Sequence, residues 1–134
     1  MGGWGTGSFE NDDAMGWLSR LAAIGPADLA KIFTQAADDP AYLEASAASI
    51  VVVAGEALAA LNGSPAPAAP PAIEEWVKKY PRISTPELNA LAVRALERVR
   101  RNSELKDLWM EADGLNDWTG VIRDLQARLG ATNP

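Results

Sequence analysis

The 134-residue chain carries 18 acidic against 12 basic side chains, a net charge of −6, and 48% hydrophobic residues, with no cysteine and no histidine. That length fits one domain whose core needs neither disulfides nor metal. The absent residue types exclude thiolate nucleophiles, disulfides and Cys/His zinc sites and remove the usual general base; the acidic balance argues against nucleic-acid and anionic-membrane binding and suits a basic partner.

Residues 1–10 set Gly2, Gly3, Gly5 and Gly7 around Trp4, with Phe9 behind them. Glycines this dense permit positive φ and close backbone approach, and the two aromatics are expected to pin the segment to the core. No basic region leads into an apolar run, so no signal peptide and a cytoplasmic location are expected. Asn11 reads as a helix N-cap, with Asp12 and Asp13 in the first turn where the helix dipole favours negative charge. Ala14, Trp17, Leu18 and Leu21 recur at helical spacing, and Gly25-Pro26 stops the pattern.

A second helix puts Leu29, Ile32, Phe33 and Ala36 on one face. Asp39 is expected to cap a third, with Pro40 at its first position. From 41 to about 61 apolar residues occupy nearly every side, which marks the central helix of a bundle. Gly55 and Glu56 interrupt this stretch, and it is too short to cross a bilayer. Residues 63–72, GSPAPAAPPA, read as an extended, non-helical linker within the bundle.

Ile73, Trp76 and Val77 mark a short helix ended by Tyr80-Pro81. Ser84-Thr85-Pro86-Glu87 has capping-box spacing and an early proline, and Leu88, Ala92, Ala95 and Val99 follow as a buried face. Ser103 caps the next helix, with Leu105, Leu108, Trp109 and Ala112 inward until Gly114. Asn116 or Asp117 opens the last, with Trp118, Val121, Ile122, Leu125 and Leu129 inward until Gly130. The expected fold is therefore all-α: one domain over 1–134, a single compact bundle of about six or seven helices around a long apolar one.

Four features carry candidate chemistry. The N-terminal loop and cap, Trp4, Gly5, Thr6, Gly7, Asn11, Asp12 and Asp13, form the candidate binding site. A backbone anion nest there is opposed by the two aspartates and lacks a P-loop lysine. A calcium or magnesium site is opposed by the divergence of adjacent helical side chains. A docked helix cap is the structural alternative. Glu56, alone in an apolar helix, is either an acid–base group or one half of an ion pair with an arginine. Arg94, Arg98 and Arg101 share a helical face with Arg100 nearby, and either grip a phosphate or an acidic partner or pair with Glu97, Glu104 and Asp107. Of the five tryptophans, Trp17, Trp76, Trp109 and Trp118 fall on apolar stripes and are expected in the core, leaving Trp4 as the candidate to face a ligand or a partner. No catalytic residue, metal site or cofactor is specified.

These residues also carry a resemblance. Trp4-Gly5-Thr6-Gly7, Phe9, Asn11-Asp12-Asp13-Ala14 and Trp17-Leu18 resemble the opening signature of a bacterial family catalogued only as domain of unknown function 4259. The tail, Asn102-Ser103-Glu104-Leu105, then Leu108-Trp109, Trp118 and Leu125, is similar to that family's closing segment. Gly16 before Trp17 is a minor departure. The resemblance implies a small cytoplasmic bacterial protein with no assigned activity, cofactor or catalytic residues. The residues themselves favour a non-enzymatic protein-binding or regulatory module, an acidic surface covering a basic partner as immunity proteins cover toxins. The alternative is a small-molecule or divalent-cation-binding protein or enzyme that uses the glycine loop and the Asn-Asp-Asp cap. A scaffold that self-associates is a third option.

Overall fold

The computed structural model describes residues 5–39, 41–80 and 85–131; Gly2, Gly3, Trp4, Pro40, Pro81 and Ser84, given roles above, lie outside them. The described residues form seven α-helices and no strand: α1 (Asp12–Leu18), α2 (Pro26–Asp38), α3 (Ala45–Leu61), α4 (Pro71–Lys78), α5 (Pro86–Arg101), α6 (Glu104–Glu111) and α7 (Leu115–Ala131). One 3-10 turn, Leu21–Ala23, joins α1 to α2. No helix among them is long and apolar enough to cross a membrane.

The helix around which the others pack is α3. Every residue from 51 to 61 is buried, and the helix contacts all six other α-helices, as its all-round apolar pattern requires. Gly55 is less an interruption than a packing device. A Cβ there would stand 3.1 Å from Leu125 Cδ2 and 3.4 Å from Leu96 Cδ1, so the missing side chain lets α5 and α7 close on α3. The helix stops at Gly63, whose φ of 93° suits glycine. The Ser64 N–H then bonds Ala59 O at 2.8 Å and the Gly63 N–H bonds Ala60 O at 3.0 Å, the paired bonds of a Schellman ending.

Several expected boundaries move, each for a local reason. The central helix starts at Ala45, not at 41, and Asp39 is the C-cap of α2 rather than the N-cap of α3. Asp39 Oδ1 instead accepts from Ala41 N at 2.8 Å. Arg98 donates to the carbonyls of Ala36, Asp39 and Ala41, which holds the chain out of helix there. The orphan N–H of Ala45 is satisfied from α6, by Glu104 Oε1 at 2.8 Å. The first helix ends at Leu18, where the Ser19 hydroxyl takes Gly16 O at 2.6 Å, and the stripe residue Leu21 is buried from the 3-10 turn. Pro71 and Ala72, read as linker, open α4, because a proline at the first helical position forfeits no helical hydrogen bond. The α5 N-cap falls on Thr85, whose side chain makes no cap bond.

Thr85 serves a polar network instead. Its hydroxyl donates to Asn89 Oδ1 at 2.9 Å, with Asn62 Oδ1 at 3.2 Å. Asn62 Nδ2 donates to Asn89 Oδ1 and to Leu58 O, both at 2.9 Å, and Asn89 Nδ2 donates to Leu129 O at 3.3 Å. The end of α3, the start of α5 and the end of α7 are thereby tied together around the buried Asn89. Elsewhere α4 docks through Trp76, whose indole N–H bonds Ile24 O at 2.8 Å and whose ring meets Tyr80 edge-on at 5.3 Å.

Candidate functional site

The loop before α1 is anchored from beneath. Ser8 is buried and its hydroxyl donates to Glu56 Oε2 at 2.7 Å. Glu56 also receives both terminal nitrogens of Arg128 from α7, at 3.0 and 3.1 Å, and Arg128 reaches on to Ser64 O at 3.1 Å and Asp124 at 2.9 Å. Glu56 is thus the ion-paired residue, not a lone acid. Burial works against the Arg128 charge, yet the hydrogen bonds and field of Glu56 and Asp124 leave its pKa raised. Above this anchor, Glu10 Oε1 accepts from Gly7 N at 3.0 Å. Gly7 does not adopt a positive φ, and its role is shared by Gly5. Their missing side chains leave room for the Glu10 carboxylate, which an added Cβ would meet at 2.7 and 2.3 Å.

A cleft of about 220 Å³ opens beside this loop. Gly5, Thr6 and Gly7 form one lip, and Asn11 and Asp13 border it from the α1 cap. Asn11 Oδ1 is occupied by Ala14 N at 2.8 Å, the expected N-cap bond. The exposed Asp12 is not among the lining residues, whereas the exposed Asp13 is. Of the sequence-derived site, five residues therefore meet at one cavity, Asp12 stands apart and Trp4 lies outside the described residues.

The opposite wall was not legible as a site. It comprises Ala45, Ser49 and Val52 of α3, Leu105, Leu108 and Trp109 of α6, and Trp118 of α7. The α6 residues, expected inward, are only half-buried, and Ala112 is exposed; the helix turns its apolar face to the cleft. Trp109 therefore leaves the core assignment that Trp17, Trp76 and Trp118 keep. Its indole lies where a Cβ on Gly114 would stand, 2.7 Å from Trp109 Cε3. The helix-ending left-handed residue is Asp113, φ 64°, rather than Gly114, with Gly114 N bonding Trp109 O at 2.9 Å.

Ser49 is the polar group at the back. It is 3% exposed, and its hydroxyl makes no hydrogen bond among the described residues. No solvent-inaccessible side-chain oxygen or nitrogen among those residues lacks a partner, so the Ser49 Oγ is reached through the cleft. Asp13 is the one charged residue among the described lining residues, and it makes no ion pair among the described residues.

The arginine run is consumed internally. Arg94 faces Asp38 at 3.6 Å, and Arg100 and Arg101 converge on Glu97, while Arg98 binds carbonyls as described. Glu104 and Asp107 are engaged elsewhere, by Ala45 N and by the Tyr42 hydroxyl. Hydrogen bonds from Arg100 in the first place hold the Glu97 carboxyl down to about 2. No cluster of three potential metal-ligating side chains exists among the described residues.

Residues 2–120 match the model of the family described as Domain of unknown function (DUF4259), and the chain belongs to that family. No curated protein and no solved structure matches it.

Proposed function

We propose that this member of the family is a small-molecule-binding protein whose ligand occupies the cleft between the glycine loop, α3 and α6. The supporting observation is the Ser49 hydroxyl, which makes no hydrogen bond among the described residues and opens into a cavity walled by Trp109, Trp118, Leu105 and Leu108. Mostly apolar walls with a few placed polar groups are the usual make-up of a ligand site. A hydroxyl that no described residue engages and that opens to the cleft is free to bond a ligand atom in place of water. The volume is below the ~300–1,000 Å³ of drug-sized sites, so the ligand is a single ring or a short chain. A melting-temperature screen of small amines, alcohols and carboxylates tests this, since a ligand of the folded state raises the midpoint by mass action. Ala45→Phe, which keeps the backbone bond to Glu104 while filling the cleft, is expected to abolish the shift. Absence of any shift, or shifts that survive Ala45→Phe, would overturn the reading.

A second reading rests on a separate groove of about 560 Å³ on the far side of the loop. Exposed Glu10, Asp117 and Asp124 border it beside Phe9, Pro67 and Val121, and Arg128, its basic residue, is already neutralised by Glu56. A basic protein segment with apolar side chains is complementary to such a surface. Binding should weaken with salt, and also in Gly120→Leu, because the exposed Gly120 has no atom within 4 Å of its added Cβ. Capture that is indifferent to both would remove this reading.

A further inference from the structure

We infer that the cleft selects a small organic cation, an amine carrying an apolar body; this rests on the small-molecule reading above. Charge comes first. Asp13 is the one charged residue among the described lining residues, it has no ion-pair partner among the described residues, and the whole chain carries −6. An anion entering here meets repulsion from Asp13, with no lysine or arginine on the described walls to offset it. A bare metal ion is equally poorly served. Asn11 Oδ1 is held by Ala14 N, Asp12 does not reach the cleft, and one carboxylate is far short of the six to eight oxygens that calcium takes.

An ammonium group fits what remains. It has donors only, and the cleft offers acceptors: the Asp13 carboxylate at the mouth and, at the back, the Ser49 Oγ, which has no partner among the described residues. The remaining wall is what an organic cation's body needs. Trp109 and Trp118 border the same space as Leu105, Leu108 and Val52, and tryptophan is the aromatic side chain that attracts cations best. Recognition would join a charge-assisted hydrogen bond to burial of one ring or a short alkyl chain.

The test is a matched set on one scaffold, benzylammonium, benzyl alcohol and benzoate, titrated into the isotopically labelled protein. The indole N–H resonances of Trp109 and Trp118 report the cleft, and those of Trp17 and Trp76 serve as internal controls. Benzylammonium is expected to move the two cleft resonances with an affinity about tenfold or more above benzyl alcohol, a difference worth about 1.4 kcal/mol, and benzoate to move neither. Asp13→Asn should bring the amine and the alcohol within about twofold of each other. Ser49→Ala should weaken the amine without restoring benzoate. Alcohol or benzoate binding as tightly as the amine overturns cation selectivity and leaves the small-molecule reading standing. Silence of Trp109 and Trp118 toward all three overturns the inference, and silence toward the wider screen as well removes the reading beneath it.

Discussion

The Ser8 hydroxyl donates to Glu56 Oε2 at 2.7 Å across 48 residues of chain, so the loop that borders the cleft is fastened to the central helix. Glu56 holds Arg128 with its carboxylate at the same time. One buried carboxylate therefore joins the loop, α3 and α7. Removing one partner of such a pair strands the other charge, at a cost of about 3–5 kcal/mol. Arg128→Ala, which strands the buried Glu56, is expected to lose stability on that scale in urea unfolding, and Glu56→Ala less, because Arg128 keeps its ion pair with Asp124. Replacing both by leucine should recover most of the loss. A Glu56→Ala protein as stable as wild type would show the pair to be incidental.

Two glycines in the bundle should respond in opposite directions. At Gly55 the α5 and α7 leucines already stand at contact distance from an added Cβ, so Gly55→Leu overpacks the core and is expected to cost about 1–3 kcal/mol or more. Gly120 sits on the exposed side of α7 with open space around it. There Gly120→Ala should raise stability by about 0.5–1 kcal/mol, the ordinary helical difference between the two residues. Chemical denaturation of both variants measures the signs, and equal signs would contradict the packing described.

Asn89 is the polar residue that the bundle buries between three helix ends. Asn89→Ala withdraws a donor from Leu129 O and an acceptor from Asn62 and Thr85. Such loss of satisfaction is expected to cost about 1–3 kcal/mol. Amide hydrogen exchange should rise first at the C-terminal turn of α7 and the start of α5. Uniform acceleration across all helices would indicate a general loss of stability instead of a local knot.

Acid should act through Glu97. Its carboxyl sits at about 2 in the folded chain against an ordinary 4.5, held down chiefly by hydrogen bonds from Arg100. A depressed carboxylate binds its proton more readily when unfolded, so its contribution is complete above about pH 4.5 and disappears as the pH falls toward 2. Stability measured against pH should decline through that window, and Glu97→Gln should flatten part of the decline. An unchanged slope in the variant would assign acid sensitivity to other groups.

Tyr42 offers a base-side counterpart. Its hydroxyl donates to Asp107, and that hydrogen bond, with the field of nearby carboxylates, lifts it from 10 to about 12. In a Tyr80→Phe background the tyrosinate absorbance should rise near pH 12, and Asp107→Asn should bring it back toward 10. Because the folded value is the raised one, this contribution to stability is intact below pH 10 and fades as the pH climbs through 12.

The sequence by itself determined the helical class, the central helix and most core stripes, because these follow from spacing along one chain. An apolar run on every side, as at 51–61, can only sit inside. Asn11 and Ser103 also behave as their local chemistry dictates, each accepting from an N–H three residues on. Tertiary structure decided the rest. Glu104 caps α3 from another helix, Arg98 holds the carbonyls of Asp39 and Ala41, and Arg128 selects Glu56 from 72 residues away. The cleft belongs to the same class. Loop residues suggested one lip, but Ser49 and Trp109 read as ordinary helix interior until α3, α6 and α7 are brought together. A period along one helix tells which residues turn inward; only the meeting of several helices decides whether inward means a packed core or an open wall.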